Sequence, residues 1–267
     1  MAHNMDMSEL KVYWFRRGKG SLPGNFGDEL GKNAVEFITS RKVIWADPAS
    51  CDIASIGSIL DSVSRAAHRA KRSNPLIVWG SGLMKNDIRP LHASINPVSV
   101  RGHLTKSALK LDEHITTGDP GIISRSMFSS MPKKYKWGVV PHFTHIKNKA
   151  LHQWCRDSNS CFINPTEDVK NVISKISSCH GIISSSLLGL IVADSYGIPC
   201  IWLNMKSHDE HEFKFQDYCS GVGRENFSQL SFSEFTIFEK DPDIFEPFLF
   251  SDEGVERVSK SLVNSIR

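Results

Sequence analysis

Short apolar runs alternate with helically spaced segments and glycine turns along most of this chain. Lys11 to Phe15 (KVYWF) is β-rich and leads through Arg16 and Arg17 into the glycine-bearing stretch Gly18 to Gly27. Leu30, Ala34, Phe37 and Ile38 then carry a helical period over Asp28 to Thr39. Val43 to Trp45, Ile53 to Ile56 and Leu76 to Trp79 are further apolar runs, and the last enters the turn Gly80-Ser81-Gly82. Pro97 to Arg101 alternates like a strand, Leu104 to Lys110 reads as a short helix, and His114 to Thr117 runs into Gly118-Asp119-Pro120. Ser124 to Lys136 is polar, charged and broken by a proline, as linkers are. The alternation then restarts: strand Trp137 to Pro141, helix Lys147 to Arg156, strand Ser160 to Asn164, helix Glu167 to Ser177. Strand Gly181 to Ile183, helix Leu187 to Tyr196 and strand Pro199 to Leu203 follow, with a last helix from Glu253 to Ile266.

Strand and helix in strict alternation imply parallel strands joined by helical crossovers. The expected fold class is therefore α/β, with two Rossmann-like domains whose parallel sheets face a central cleft. The expected domains are 1–130 and 131–267, with the last helix able to pack back on the first. A chain of 267 residues exceeds the usual size of one hydrophobic core, which fits that division. Open parallel sheets take ligands beyond the carboxyl ends of their strands, where helix N-termini offer free N–H groups and partial positive charge. A phosphate or carboxylate is the natural guest.

Composition narrows the picture modestly. The formal charge is only +3, too small to imply a nucleic-acid partner, and it leaves at most peripheral contact with an acidic membrane face. The six cysteines include no CxxC pair and several lie in apolar runs, so they read as reduced core thiols of a cytoplasmic protein. The N-terminus lacks the apolar segment of a signal peptide. Gly181 to Leu203 is about long enough to span a bilayer, but Ser184, Ser185, Ser186, Asp194 and Pro199 interrupt it, and it reads as buried strand, helix and strand.

Candidate chemistry gathers at the strand ends. Asn25-Phe26-Gly27-Asp28 places a glycine and an acid where a helix begins; Asp28 either caps that helix or faces the cleft. Gly80, Ser81 and Gly82 close a strand. The glycine spacing of the first loop, Gly24 to Leu30, matches neither a dinucleotide fingerprint nor a Walker loop. Ser184, Ser185 and Ser186, with Gly189, sit at a strand-to-helix junction, as an oxyanion cradle or a plain serine cap. His142 and His145 follow a strand at its carboxyl end, where an imidazole donates to an anion or moves a proton near neutral pH, unless it serves structure alone. Arg101 ends a strand beside Gly102 and is placed to offer a fork of donors to an anion. Lys214 and Arg224 flank Phe213 to Tyr218, which reads either as an amphipathic helix or as a segment closing over a ligand. His208-Asp209-Glu210-His211 lacks the i, i+4 spacing of a metal helix and reads as a solvated loop, so no metal site is expected.

In chain order, Asn25-Phe26-Gly27-Asp28, Trp79-Gly80-Ser81-Gly82, Val100-Arg101-Gly102-His103-Leu104-Thr105, Gly118-Asp119-Pro120, Val140-Pro141-His142, Ser184 to Gly189 with Gly197-Ile198-Pro199, and Phe213 to Tyr218 resemble the polysaccharide pyruvyltransferase family. The resemblance spans roughly Lys11 to Arg224. It implies a GT-B-like fold and transfer of a pyruvyl group from phosphoenolpyruvate to two hydroxyls of one sugar, giving a cyclic ketal. It also implies an acceptor-side N-terminal domain and a donor-side C-terminal domain, and a sugar acceptor that is free, nucleotide-linked or lipid-linked. No cofactor is implied; phosphoenolpyruvate is a substrate. The setting implied is the cytoplasm or the inner face of the membrane. By resemblance, Arg101 and the Ser184 to Ser186 turn bind the donor's anions, with Asn25, Gly27, Gly80, Ser81, Gly82, Gly189 and Lys214 around them. His142 donates a hydrogen bond or proton, and Asp28 orients an acceptor hydroxyl.

One position departs from that family. Where its strand-to-helix turn usually carries histidine before glycine, this chain has Leu188 before Gly189. Leucine has no proton to give, so either turnover is impaired or His142 or another group supplies the proton. The rival readings are a nucleotide-sugar glycosyltransferase of the same fold and a non-catalytic glycan-binding module.

Overall fold

The computed structural model describes residues 9–16, 24–86, 90–205, 212–224, 229–237 and 249–267. In the N-terminal half, β1 (Leu10–Tyr13), α1 (Phe26–Thr39), β2 (Val43–Trp45), β3 (Ile53–Ser55), α2 (Leu60–Ala70), β4 (Leu76–Ser81), β5 (Ile95–Val100), α3 (His103–Ala108) and β6 (Thr116–Thr117) follow one another. A 3-10 turn at Pro120–Ile123 and a short α4 (Ser124–Met127) lead to the second half. There β7 (Tyr135–Val140), α5 (Lys149–Asp157), β8 (Cys161–Phe162), α6 (Val169–Ser177), β9 (Cys179–Ser184), α7 (Leu187–Ser195) and β10 (Cys200–Asn204) precede α8 (Glu212–Val222), β11 (Gln229–Ser231), α9 (Phe232–Ile237) and α10 (Asp252–Ile266).

The strands form two sheets, ordered β2-β1-β3-β4-β5-β6 and β11-β10-β9-β7-β8, and every pairing is parallel. The α/β fold with two parallel sheets expected from the alternation is therefore present, and it is consistent with the GT-B-like fold that the resemblance implies. Each sheet reverses direction of growth once, between β1 and β3 in the first and between β7 and β9 in the second. Such reversal points open a crevice between diverging loops, which is where doubly wound sheets bind ligands.

The two halves share one apolar interior. A single cluster of buried side chains runs from Leu10, Val12, Phe26 and Leu30 through Ile122 and Ile123 to Leu188, Leu190, Ile191 and Tyr218. The 3-10 turn at Pro120–Ile123 is the seam: Ile122 and Ile123 are buried, and a Cβ on Gly121 would press on Ile191 and Leu188 at 3.0 Å each. Ser124, the first residue of the expected linker, is fully buried, and Tyr196 donates to the Phe128 carbonyl at 2.6 Å. Helix α10 lies against the first sheet, where Trp79 Nε1 donates to the Leu262 carbonyl at 3.0 Å and Gly118 accommodates Val258. All six cysteines are buried free thiols. Gly181 to Leu203 resolves into β9, α7 and β10, and among the described residues no helix is long and apolar enough to cross a membrane.

Candidate functional site

Helix α1 starts two residues earlier than its apolar period implied, with Asn25 at the N-cap in extended conformation and Asp28 in the first turn. Asn25 does not cap with its side chain; its Nδ2 donates instead to Asp28 Oδ2 at 3.1 Å. The other Asp28 oxygen points toward Gly57, just past β3, where a Cβ would stand 3.6 Å from it. Gly57 has φ +102, a backbone that favours glycine. The carboxyl thus occupies the reversal point of the first sheet. Burial pushes it up to about 7, against opposing pulls from the Asn25 hydrogen bond and the Lys214 ammonium, while Glu29 adds to the rise. A carboxyl poised there exchanges protons at neutral pH.

The second reversal point carries the serine turn and His142. Ser185 Oγ accepts the His142 backbone N–H at 2.8 Å, which ties the two loops together. The His142 ring shares a 2.8 Å hydrogen bond between Nδ1 and Thr144 Oγ1 and packs against Phe143 at 4.3 Å. Ser184 is wholly internal: its Oγ bridges the Val140 and Ser186 carbonyls and accepts the Ser186 N–H at 3.0 Å. Gly189 lies where a Cβ would stand 2.4 Å from that oxygen, so glycine there is a packing requirement. Ser186 is the N-cap of α7 and makes no side-chain cap bond. The first turn of α7 therefore presents its backbone N–H groups and the Ser186 hydroxyl together.

These two corners meet directly. The Phe26 N–H donates to the Pro165 carbonyl at 2.8 Å, and a Cβ on Gly27 would strike Leu188 at 2.7 Å. Leu188, 9% exposed, is wedged between Gly27 and Gly121. Lys214 on α8 is also buried, its ammonium 5.2 Å from the Phe215 ring and close enough to Asp28 to act on its charge.

Other predicted residues do different work in this structure. Arg101 is 0% exposed, and its donors are spent inside the protein. Nε and an Nη reach Asp217 Oδ2 at 2.9 Å, another Nη reaches Ser58 Oγ at 2.6 Å, and the Leu83 carbonyl accepts at 2.5 Å. Asp217 also accepts the Thr105 N–H and Thr105 Oγ1, both at 2.7 Å. Arg101 thus braces α8 against the first sheet, a task its place at a strand end gives no hint of. Gly80, with φ +76, lets Pro120 approach; a Cβ there would lie 2.1 Å from it. Ser81 donates to the Gly57 carbonyl at 2.9 Å, and Gly82 leaves room for the Arg101 guanidinium. The pair Asp217 and Tyr218 holds α8 from both sides, since the Tyr218 hydroxyl donates to Asp194 at 2.8 Å, beside Arg224. His208 to His211 lies outside the described residues.

Sequence reasoning assigned no role to Asp217 or Asp119. Asp119 is 0% exposed, one oxygen accepts the Gly121 N–H at 2.9 Å, and the other has no partner. Burial pushes its carboxyl up to about 6, against the Gly121 bond and the Arg101 charge. They sit within the motifs Gly118-Asp119-Pro120 and Phe213 to Tyr218; for Asp119 the available signal was an acid in the otherwise uncharged run Gly118 to Ile123, and Asp217, beside Lys214 and Gln216, had none.

The chain is similar to several known proteins. A family model described as polysaccharide pyruvyl transferase matches residues 21–207. The chain is 26% identical over 262 residues to an uncharacterized protein, L143, of Acanthamoeba polyphaga mimivirus, covering 89% of this chain and 88% of that one. It is 27% identical over 221 residues to the succinoglycan biosynthesis protein ExoV of Rhizobium meliloti (strain 1021), covering 80% of this chain and 65% of the relative. A solved structure of a functionally uncharacterized Klebsiella pneumoniae protein aligns with TM-score 0.44 at 14% identity, covering 84% of this chain and 93% of that one.

Proposed function

Because the chain belongs to the polysaccharide pyruvyl transferase family, we propose that it moves a pyruvyl group from phosphoenolpyruvate to two hydroxyls of one sugar in a polysaccharide or its precursor. The product is a cyclic ketal and inorganic phosphate. The observation that carries the reading is the meeting of the two reversal points, with a neutral-range carboxyl on one side and the N-terminus of α7, Ser186 and Lys214 on the other.

Each step has a matching group. Backbone N–H groups at the start of α7, the Ser186 hydroxyl and the Lys214 ammonium suit the donor's phosphate and carboxylate. Asp28, ionised above about 7, accepts the proton of the attacking sugar hydroxyl as its oxygen bonds to C2 of the enol. The enol's methylene carbon takes a proton, for which His142 is the donor in this reading. The bond from C2 to the bridging oxygen then breaks and phosphate leaves. The second hydroxyl closes the ring, and its proton departs with the phosphate. Two hydroxyl protons are lost; one equivalent stays on the new methyl group and one goes out with the phosphate.

The test uses the full chain. Phosphoenolpyruvate raises its melting temperature while nucleotide sugars do not, and phosphate release depends on an added sugar. Protection by a nucleotide sugar alone would point to a glycosyltransferase, and phosphoenolpyruvate binding with no phosphate release would point to a non-catalytic relative.

A further inference from the structure

The carboxyl ends of β1 and β2 carry an aromatic group that the site described so far does not use. Among the described residues, Phe15 and Trp45 are large apolar side chains left in solvent, at 44% and 37% exposure. Trp45 ends β2, the edge strand that pairs with β1 on the side away from β3, so it stands one strand outside the reversal point that holds Asp28. Its ring is fixed rather than loose. Trp45 Nε1 donates to the Trp14 carbonyl at 3.0 Å, and the Tyr13 ring lies 6.5 Å away at 55°. The Arg16 guanidinium stands 5.1 Å from the Trp45 ring and 4.7 Å from the Trp14 ring.

This group is continuous with the reacting corner. Tyr13 ends β1; its phenol bonds to Ser62 and feels the charge of Asp28. Tyr13, which ends the strand between Trp45 and the reversal point and whose ring meets Trp45, links this aromatic group to the corner of the first sheet where Asp28 sits. A pyranose offers an apolar face of C–H groups ringed by hydroxyls, and a fixed aromatic ring beside a cationic hydrogen-bond donor matches both. An isolated exposed aromatic needs no explanation, but one held rigid at the carboxyl-end edge of the sheet that also carries Asp28 is suited to bind a ligand there.

Resting on the pyruvyl-transfer reading, we infer that Trp45, braced by Tyr13 and Arg16, is the platform on which a sugar ring of the acceptor glycan stacks. The ring on Trp45 orients the acceptor so that its hydroxyls reach Asp28. The C-terminal half is left to the donor.

Saturation-transfer NMR on the full chain, with methyl glycosides of galactose, glucose and mannose and with UDP as separate probes, tests this. At least one glycoside receives saturation in the wild type. Trp45→Ala abolishes it and raises the acceptor KM about tenfold or more, as loss of one stacking contact should. Trp45→Phe recovers most of both, and protection by phosphoenolpyruvate is unchanged in all three proteins. Saturation of UDP but of no glycoside, or identical glycoside behaviour in wild type and Trp45→Ala, overturns the inference. Failure of phosphoenolpyruvate to protect the wild type counts against pyruvyl transfer instead, while the glycoside result still decides the platform.

Discussion

A carboxyl lifted to about 7 by burial is half ionised at neutral pH, so small changes around Asp28 alter how much of the protein is competent. If Asp28 is the base, kcat/KM rises with pH through about 7 and levels above it. Asp28→Asn, which keeps the shape but cannot take the proton, lowers kcat by about 100-fold or more. A pH profile that falls through the same range would instead assign Asp28 the acid's part. Asp119 supplies a stability prediction with the opposite use of the same physics. Its folded pKa of about 6 lies above the ordinary 3.8, so the folded state holds the proton more tightly. Asp119 therefore costs nothing below about 4, costs more as pH climbs toward 6, and costs its maximum above that; two units correspond to about 3 kcal/mol. Asp119→Asn removes that cost but buries an amide with an unmet donor, leaving a net gain of about 1–2 kcal/mol at pH 8 and a net loss of about 1 kcal/mol at pH 4, where there is little charge cost to remove. Urea melts at the two pH values check it, and a difference that ignores pH would refute the assignment. Leu188 is the third such residue. Leu188→His puts an imidazole between Gly27 and Gly121, beside the Asp28 turn, and should raise phosphate release about tenfold or more at a cost of about 1–2 kcal/mol in stability. Unchanged release would show that the leucine does not limit turnover.

Helix α8 shows how an element can be legible while its purpose is not. The spacing of Phe213, Phe215 and Tyr218 marked a helix or a closing segment, and the structure makes it Glu212–Val222. What the sequence could not disclose is that Asp217 finds Arg101, 116 residues earlier, and Thr105 beside it. Pairings across two sheets depend on how the sheets dock, which no local pattern encodes. For the same reason Arg101 read as an anion fork: position at a strand end was visible, but the competing internal carboxylate was not. The apolar pattern misses helix α2 although Leu60, Val63, Ala66 and Ala67 keep a helical spacing, because small alanines and a serine make up most of its buried face and leave few strongly apolar residues to mark it. By contrast the alternation itself and the strand-end positions of Asp28, His142 and Ser184 to Ser186 came through, because glycine turns and β-rich runs are local signals. The brace on α8 has a measurable consequence. Asp217→Asn leaves the Arg101 charge buried without its counter-ion, which costs about 3–5 kcal/mol. If phosphoenolpyruvate is the donor and Lys214, one turn away on the same helix, helps hold it, its KM rises more than kcat falls, and the rise of kcat/KM through pH about 7 shifts upward as the Lys214 charge leaves Asp28. Thr105→Val, which deletes one neutral donor, gives the same changes in weaker form. A variant that loses stability with KM and pH profile intact would make the brace purely structural.

At the scale of the molecule, the two sheets are bound by packing of the kind found inside a domain rather than at a hinge. Loosely docked domains meet through modest, polar surfaces and move against one another by default. Here Phe26, Ile122, Leu188 and Ile191 belong to one buried cluster, α8 is held from both halves, and α10 returns to cover the first sheet through Trp79 and Val258. Opening the cleft as a rigid hinge would expose the Ile122–Ile123 seam to water, at roughly 25 cal/mol for each Å² of apolar surface. The halves should therefore unfold together. Calorimetry is expected to give one transition with equal calorimetric and van't Hoff enthalpies, and Ile122→Ala should lower that transition as a whole by about 2–5 kcal/mol without splitting it. Two resolved transitions, with only one moved by Ile122→Ala, would mean that the sheets are thermodynamically separate. Catalytic closure would then require motion of the domains themselves; with a single transition it falls to the loops at the reversal points.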